Sequence, residues 1–215
     1  MSNVRLFEML IRLLVVLTAL PVHEFAHAFV AYKLGDNTAK YQGRLNLNPL
    51  SHLDPIGSLA TVFFGFGWAK PVPVNPYMFK NRKLGMALVS FAGPLSNVLL
   101  ALVILAIAKI LVAFEIISYA SAFLQVLVIM VSVNLNLAVF NLIPIPPLDG
   151  SRIATLFLDE RKYFKIMQYE RYIFLALIVL MSTSVFDSVM GFFTNILWNA
   201  IDFITSIVYV IAGVI

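Results

Sequence analysis

The sequence of 215 residues contains no cysteine and few charged side chains, and both absences narrow the class of protein. Without cysteine there is no disulfide framework, no thiolate metal ligand and no cysteine nucleophile, so nitrogen and oxygen atoms must hold any metal. Only 12% of the residues are charged and 61% are hydrophobic, whereas soluble domains carry about 25% charged residues. This composition predicts a protein embedded in a lipid bilayer, without room for a second large soluble domain.

The hydrophobic residues form runs long enough to cross a bilayer. They predict an all-α polytopic membrane protein with four to six transmembrane helices and a small β element at the cytoplasmic face. We expect residues 1–215 to form a single membrane-embedded domain, with a core over about residues 6–158 and C-terminal helices over about 162–215. The predicted spans are Leu6–Leu34, Leu84–Phe114 and Tyr119–Leu142, and the candidate for a fourth is Tyr172–Ser184. Phe192–Ile215 would be a fifth span or an interfacial helix.

Three shorter stretches between the first two spans have patterns of their own. Ala39–Asn48 alternates polar and apolar residues around a glycine, which is typical of a short strand or hairpin. Ile56–Gly67 is apolar but only about twelve residues long, so we expect it to tuck into the membrane without crossing it. Lys70–Pro76 contains three prolines and is predicted to be extended.

The net charge of +4 has an explanation in the membrane topology. Seven of the fifteen basic residues lie between Lys33 and Lys83, and five more lie between Arg152 and Arg171. By the positive-inside rule both regions are cytoplasmic, which predicts a multi-pass protein of the cell membrane. The lipid bilayer is then the expected partner of this chain, and no nucleic acid partner is expected.

The sequence His23-Glu24-Phe25-Ala26-His27 interrupts the first apolar run. The two histidines stand four residues apart, so on a helix they share one face and can bind a single zinc ion. Glu24 would then lie beside the metal as the general base for water. The alternative is structural, with the histidines bonding neighbouring helices around a paired glutamate, but polar groups inside a membrane segment are costly and mark functional sites.

A catalytic zinc site usually takes three protein ligands, and Asp149 is the candidate for the third. It follows the third span on the cytoplasmic side, after prolines at 144, 146 and 147 that would unwind the helix and let a carboxylate turn inward. Alternatively, Asp149 caps a helix that begins at Ser151.

Three ordered motifs carry a resemblance to a known family: HEFAH, then FAGPLSN, then NLIPIPPLDG. Together with GRLNLNP, HLDPIGS and FGWAKPVPVNP between them, the chain resembles the site-2 protease family of intramembrane zinc metalloproteases (peptidase family M50), in a compact prokaryotic form without a PDZ domain. The resemblance implies a three-helix catalytic core, one Zn²⁺ on His23, His27 and Asp149, and Glu24 as the base. It also implies a peptidase that cleaves transmembrane segments of single-span membrane proteins, in regulated intramembrane proteolysis or remnant clearance.

Two asparagines in apolar helices are further candidates. Asn141 lies eight residues before Asp149, and its amide would donate to the oxyanion formed at the scissile carbonyl, a role that the resemblance also implies. The alternative for Asn141 is an interhelical hydrogen bond. Asn97, in FAGPLSN, would either contact the substrate or hydrogen-bond to a neighbouring helix.

The remaining candidates concern substrate binding. Val72 and Val74 lie in the extended stretch, which would pair with an unwound substrate strand by β-augmentation or would form an ordered surface loop. His52 would orient a ligand or bind substrate, or cap a turn beside Asp54.

Two rival functions use the same residues. A membrane zinc amidohydrolase would share the metal chemistry and differ in its substrate. A divalent-metal transporter would use His23, Glu24, His27 and Asp149 as a permeation site, but the sequence has no internal repeat and all its candidate ligands lie on one side of the bilayer. A binding protein without activity is disfavoured by the intact Glu24.

Overall fold

The computed structural model describes residues 3–64, 67–158, 165 and 167–213. Its regular structure is helical, with a short 3-10 turn at Pro76–Met78. The described helices are α1 (Asn3–Lys33), α2 (Thr38–Tyr41), α3 (Pro49–His52), α4 (Pro55–Phe64), α5 (Arg82–Ala113), α6 (Ala122–Leu142), α7 (Asp149–Ala154), α8 (Glu170–Leu180), α9 (Ser184–Thr205) and α10 (Ile207–Ile211).

Four helical stretches are long and apolar enough to span a membrane, which confirms the predicted multi-pass class. They are Met9–Lys33, Arg82–Ala113, Ala122–Leu142 and Ser184–Ile211. The fourth begins earlier than the predicted Phe192–Ile215, whose last two residues lie outside the described part. Helix α8 covers most of the predicted Tyr172–Ser184 span, but its 11 residues extend only about 16 Å, too short to cross a bilayer.

Helix α5 is the centre of the bundle, because α1 and α6 both pack along it. Ala101 is fully buried where α5 meets α6, and a small side chain at a helix contact lets the two backbones come close. The resulting core contains Ala101 and Leu105 of α5, Val131 and Leu135 of α6, and Ile201 of α9. A second buried cluster, which includes Ala31 of α1 and Val89 of α5, holds α1 and its histidine motif against α5.

The prediction of a β strand or hairpin at Ala39–Asn48 is wrong, since these residues form no strand. Ala39–Asn48 forms helix α2 and turns, and the β pairing in the described ranges is one isolated bridge between Leu53 and Ala69. Side chains compete with a β ladder here, because the Asp36 Oδ1 atom accepts the Thr38 N–H at 2.9 Å and the Asn46 Oδ1 atom accepts the Asn48 N–H at 2.7 Å. Such local side-chain hydrogen bonds favour turns and helix starts over strands.

The chain between α3 and α5 folds back on itself. After α4 it returns beside its starting point, where the Lys70 N–H donates to the His52 carbonyl at 2.9 Å. As the sequence predicts, α4 is short, and residues 70–75 are without helix or strand. This return places the proline-rich stretch next to α1.

Candidate active site

Helix α1 brings His23 and His27 together one turn apart. Their Nε2 atoms are 3.0 Å from each other, and both residues are buried. The Nδ1 atom of His27 lies 2.7 Å from the Val89 carbonyl on α5. Because a carbonyl only accepts, Nδ1–H is the donor, which leaves the Nε2 lone pair of His27 directed at the shared site.

Asp149 completes the cluster from the other side. Its Oδ2 atom is 3.2 Å from the Nε2 atoms of both His23 and His27. Helix α6 ends at Leu142, and the following proline-containing turn leads to Asp149 at the first position of α7, where no side-chain cap is formed. Burial raises the pKa of the Asp149 carboxyl, but the adjacent His27 and His23 rings outweigh this and hold that pKa well below its ordinary value.

The donor atoms are of the types that zinc accepts, and they lie slightly closer together than the ligands of a tetrahedral zinc site. Ligands at 2.0–2.2 Å from a tetrahedral zinc stand about 3.3–3.6 Å apart, and the three separations here are 3.0, 3.2 and 3.2 Å. Two imidazole nitrogens and a carboxylate oxygen are also ligands that zinc accepts. Within the described ranges this is the one group of three or more His, Cys, Asp or Glu side chains placed to hold a metal.

Glu24 lies beside the cluster at the wall of a cleft. Its Oε2 atom accepts a hydrogen bond of 3.0 Å from the Val72 main-chain N–H. The cleft has a volume of about 930 Å³ and extends between α1, α5, α6 and α8. Its polar lining near the cluster comes from His23, Glu24, Asn97 and Asn141.

Asn141 and Asn97 both line this cleft, and their contacts with a substrate stay predictions. The Asn141 amide donates one hydrogen to the Leu137 carbonyl on its own helix at 2.9 Å, so its bond is intrahelical. An amide nitrogen carries two hydrogens, so the second remains available to a ligand. Asn97 is fully buried, and neither its Oδ1 nor its Nδ2 atom has a hydrogen-bond partner among the described residues.

His52, Val72 and Val74 do not line the cleft. His52 is fully buried, and its Nε2 atom lies 2.7 Å from the Asn46 carbonyl, which is a loop-stabilising contact. Val72 reaches the site through its main chain alone, by the hydrogen bond to Glu24. The binding roles of these three residues stay predictions.

Gly93 and the Val72 main-chain amide also shape the site, and the spacing of residues in the sequence predicts neither role. Gly93 of α5 packs directly against both histidine rings, although the sequence indicates only a kink at Gly93-Pro94. The Val72 amide meets Glu24 across 48 positions of sequence. Only the occurrence of Gly93 in FAGPLSN and of Val72 between two prolines marks these positions.

Known proteins resemble the chain over most of its length. The profile of Peptidase family M50 matches residues 11–184. "Putative zinc metalloprotease YwhC" of Bacillus subtilis (strain 168) is 44% identical over 165 residues, which cover 75% of this chain and 75% of the relative. "Putative zinc metalloprotease Rip2" of Mycolicibacterium smegmatis (strain ATCC 700084 / mc(2)155) is 30% identical over 189 residues, which cover 85% of this chain and 70% of the relative.

No solved structure matches the chain significantly. The family match and the relatives confirm the enzyme class predicted from the three motifs, that of a zinc metalloprotease. The matched range contains the histidine motif, Gly93 and Asp149. This multi-pass membrane protein therefore belongs to peptidase family M50.

Proposed function

We propose that this protein is a zinc-dependent intramembrane endopeptidase that cleaves transmembrane segments of single-span membrane proteins. The observation that carries the proposal is the convergence of His23, His27 and Asp149 within 3.2 Å, beside Glu24, in a cleft to which three helices able to span a membrane contribute. Polar side chains on a membrane-spanning helix such as α1 are costly and mark functional sites. Regulated proteolysis and remnant clearance are the processes proposed for this activity.

The residues would divide the chemistry as follows. His23, His27 and Asp149 would hold one Zn²⁺, which would supply the Lewis-acid chemistry for activating water near neutral pH and for polarising the scissile carbonyl. Glu24 takes the proton of the attacking water and hands it to the leaving amine. The free amide hydrogen of Asn141 donates to the oxyanion at the scissile carbonyl.

The proposed orientation places the site towards the cytoplasm of the cell membrane. The histidines lie near the C-terminal end of α1, and that end leads into the basic region that begins at Lys33. Basic connections are retained on the cytoplasmic side. Water would then reach the cleft from the cytoplasm.

The test combines zinc content with cleavage of a panel of single-span membrane proteins in liposomes. We expect the wild type to bind one zinc and cut, Glu24→Gln to bind zinc without cutting, and Asp149→Ala to lose zinc. Cleavage by Glu24→Gln would refute the assignment of the base. Uptake of zinc into liposomes that persists in Glu24→Gln would favour a divalent-metal transporter. Cleavage restricted to non-peptide amides would favour an amidohydrolase.

A further inference from the structure

Residues 70–75, which we call the proline segment, are tied to the loops after α1 at both ends. At the first end, the Lys70 carbonyl accepts a hydrogen bond from the Arg44 guanidinium at 2.6 Å, and the Lys70 N–H donates to the His52 carbonyl at 2.9 Å. At the other end, the Asn75 N–H donates to the Asp36 Oδ2 atom at 2.7 Å. Between these anchors the Val72 N–H donates to Glu24.

The side chains that anchor the segment are buried, which limits the competition of water for these hydrogen bonds. Asp36 is fully buried and Arg44 is 5% exposed. Both carboxylate oxygens of Asp36 accept a main-chain N–H, from Thr38 at 2.9 Å and from Asn75 at 2.7 Å. Hydrogen bonds to an ionised group are stronger than neutral ones, and a buried carboxylate with two donors has little freedom to move.

The prolines leave one main-chain donor at the centre of the segment. Pro71 and Pro73 have no N–H, so Val72 carries the single N–H of residues 71–73, and that N–H is directed at Glu24. The proline rings also fix their own φ angles and restrict the residue before each of them. The segment is therefore stiff where it touches the carboxylate.

We propose that the Val72 main-chain amide is a positioning group for Glu24, and that Asp36 holds this amide in place through Asn75. The inference rests on the proposed function, in which Glu24 is the general base. With Oε2 fixed by the Val72 N–H, the carboxylate keeps one orientation and Oε1 stays free for the water. The Val72 N–H is then unavailable for pairing with a substrate strand.

Hydrogen exchange tests the contact without requiring proteolysis. In the full-length protein labelled with ¹⁵N-valine, the Val72 amide is expected to exchange slowly and to exchange about tenfold or more faster in Glu24→Ala, because the acceptor is gone. We expect the same acceleration in Asp36→Ala. An exchange rate at Val72 that is unchanged in Glu24→Ala would overturn the proposal.

Kinetics test the consequence for catalysis. Val72→Pro removes the N–H, whereas Val72→Ala keeps it, so we expect kcat of the proline variant to be about ten- to a hundredfold below that of the alanine variant. KM and zinc content should be the same in both. Equal kcat values would overturn the positioning role, and so would a loss of zinc in Val72→Pro alone.

Asp36→Asn and Asp54→Asn form a matched pair for the anchor. Asparagine at 36 keeps one of the two side-chain oxygens that accept main-chain N–H groups. Among the described residues the Asp54 carboxylate accepts one hydrogen bond, from the Gly57 N–H at 2.8 Å, and an asparagine oxygen can accept it too. We expect kcat to fall in Asp36→Asn and to stay at the wild-type value in Asp54→Asn. Equal effects of the two substitutions would overturn the anchor role. If Glu24→Ala changes Val72 exchange but the wild type cleaves no substrate, the proposed function fails and the contact stands.

Discussion

A methyl group on Gly93 would lie 2.5 Å from the Nε2 and Cε1 atoms of His27. The same methyl group would lie 2.6 Å from the Cε1 atom of His23, so α5 approaches both rings only because residue 93 has no side chain. One turn earlier on α5, the Val89 carbonyl accepts the Nδ1–H of His27. Helix α5 therefore sets the position of the two rings from one side while Asp149 meets them from the other.

Gly93→Ala is expected to weaken zinc binding about ten- to a hundredfold, because the new methyl group must displace ring atoms from the ligand geometry. Competition titration of zinc with the purified protein measures the effect. Gly191→Ala on α9 is the control, since a methyl group there meets no atom within 4 Å. Wild-type zinc affinity in Gly93→Ala would contradict the role of this close approach.

Asn141→Ala is expected to lower kcat about a hundred- to a thousandfold while zinc content is retained, because the variant loses a donor to the oxyanion. The measurement is steady-state cleavage of a membrane substrate beside a zinc determination. Asn136→Ala is the matched control on the same helix, where the asparagine amide donates to Ser132 and its oxygen accepts from Thr194. Similar losses in the two variants would point to helix stability as the cause.

The sequence predicts the metal cluster and the long helices because both follow from regular geometry. Histidines four apart share a helix face whatever surrounds them, and the prolines after Leu142 end α6 and deliver Asp149. The long apolar runs likewise require helices, since a bilayer leaves no other partner for the main chain. The histidine spacing, the end of α6 and the long helices are all set by residues close together in the sequence.

The features that the sequence did not predict depend on contacts between distant residues. The alternation in Ala39–Asn48 indicates a strand, but the side-chain oxygens of Asp36 and Asn46 accept hydrogen bonds from nearby main-chain N–H groups, which gives turns instead. The pairing of Val72 with Glu24 and the packing of Gly93 on His27 need the bundle to be assembled. No local periodicity encodes such contacts, because spacing rules describe one element at a time.

Removal of zinc is expected to lower both activity and thermal stability. A ligand that binds only the folded state at a thousand times its Kd stabilises it by about 4 kcal/mol. Treatment with a chelator should therefore lower Tm, and added Zn²⁺ should restore Tm and cleavage where Mg²⁺ does not. In Asp149→Ala the Tm should no longer respond to zinc. A full zinc-dependent shift in that variant would show that the metal binds elsewhere.

An ion pair between the buried Lys109 and the exposed Asp202 ties α9 to α5, away from His23, His27 and Asp149. The Lys109 ammonium donates at 2.8 Å to the Asp202 main-chain carbonyl and lies 2.8 Å from its Oδ1 atom. Lys109 is buried, but the Asp202 side chain is 52% exposed, which lowers the cost of breaking the pair. We expect Lys109→Met to lower the free energy of unfolding by about 1–3 kcal/mol, because the aspartate and its carbonyl lose a charged donor.

Denaturation in detergent measures that loss, and the exposed Lys80 provides the control variant Lys80→Met, which should unfold like the wild type. Zinc affinity should be unchanged in Lys109→Met, because the lysine lies sixteen positions after Gly93 on α5, about 24 Å along the helix. A variant that loses zinc as well as stability would mean that the attachment of α9 is coupled to the geometry of the histidines. Wild-type stability in Lys109→Met would mean instead that apolar packing around Ile201 holds α9 on its own.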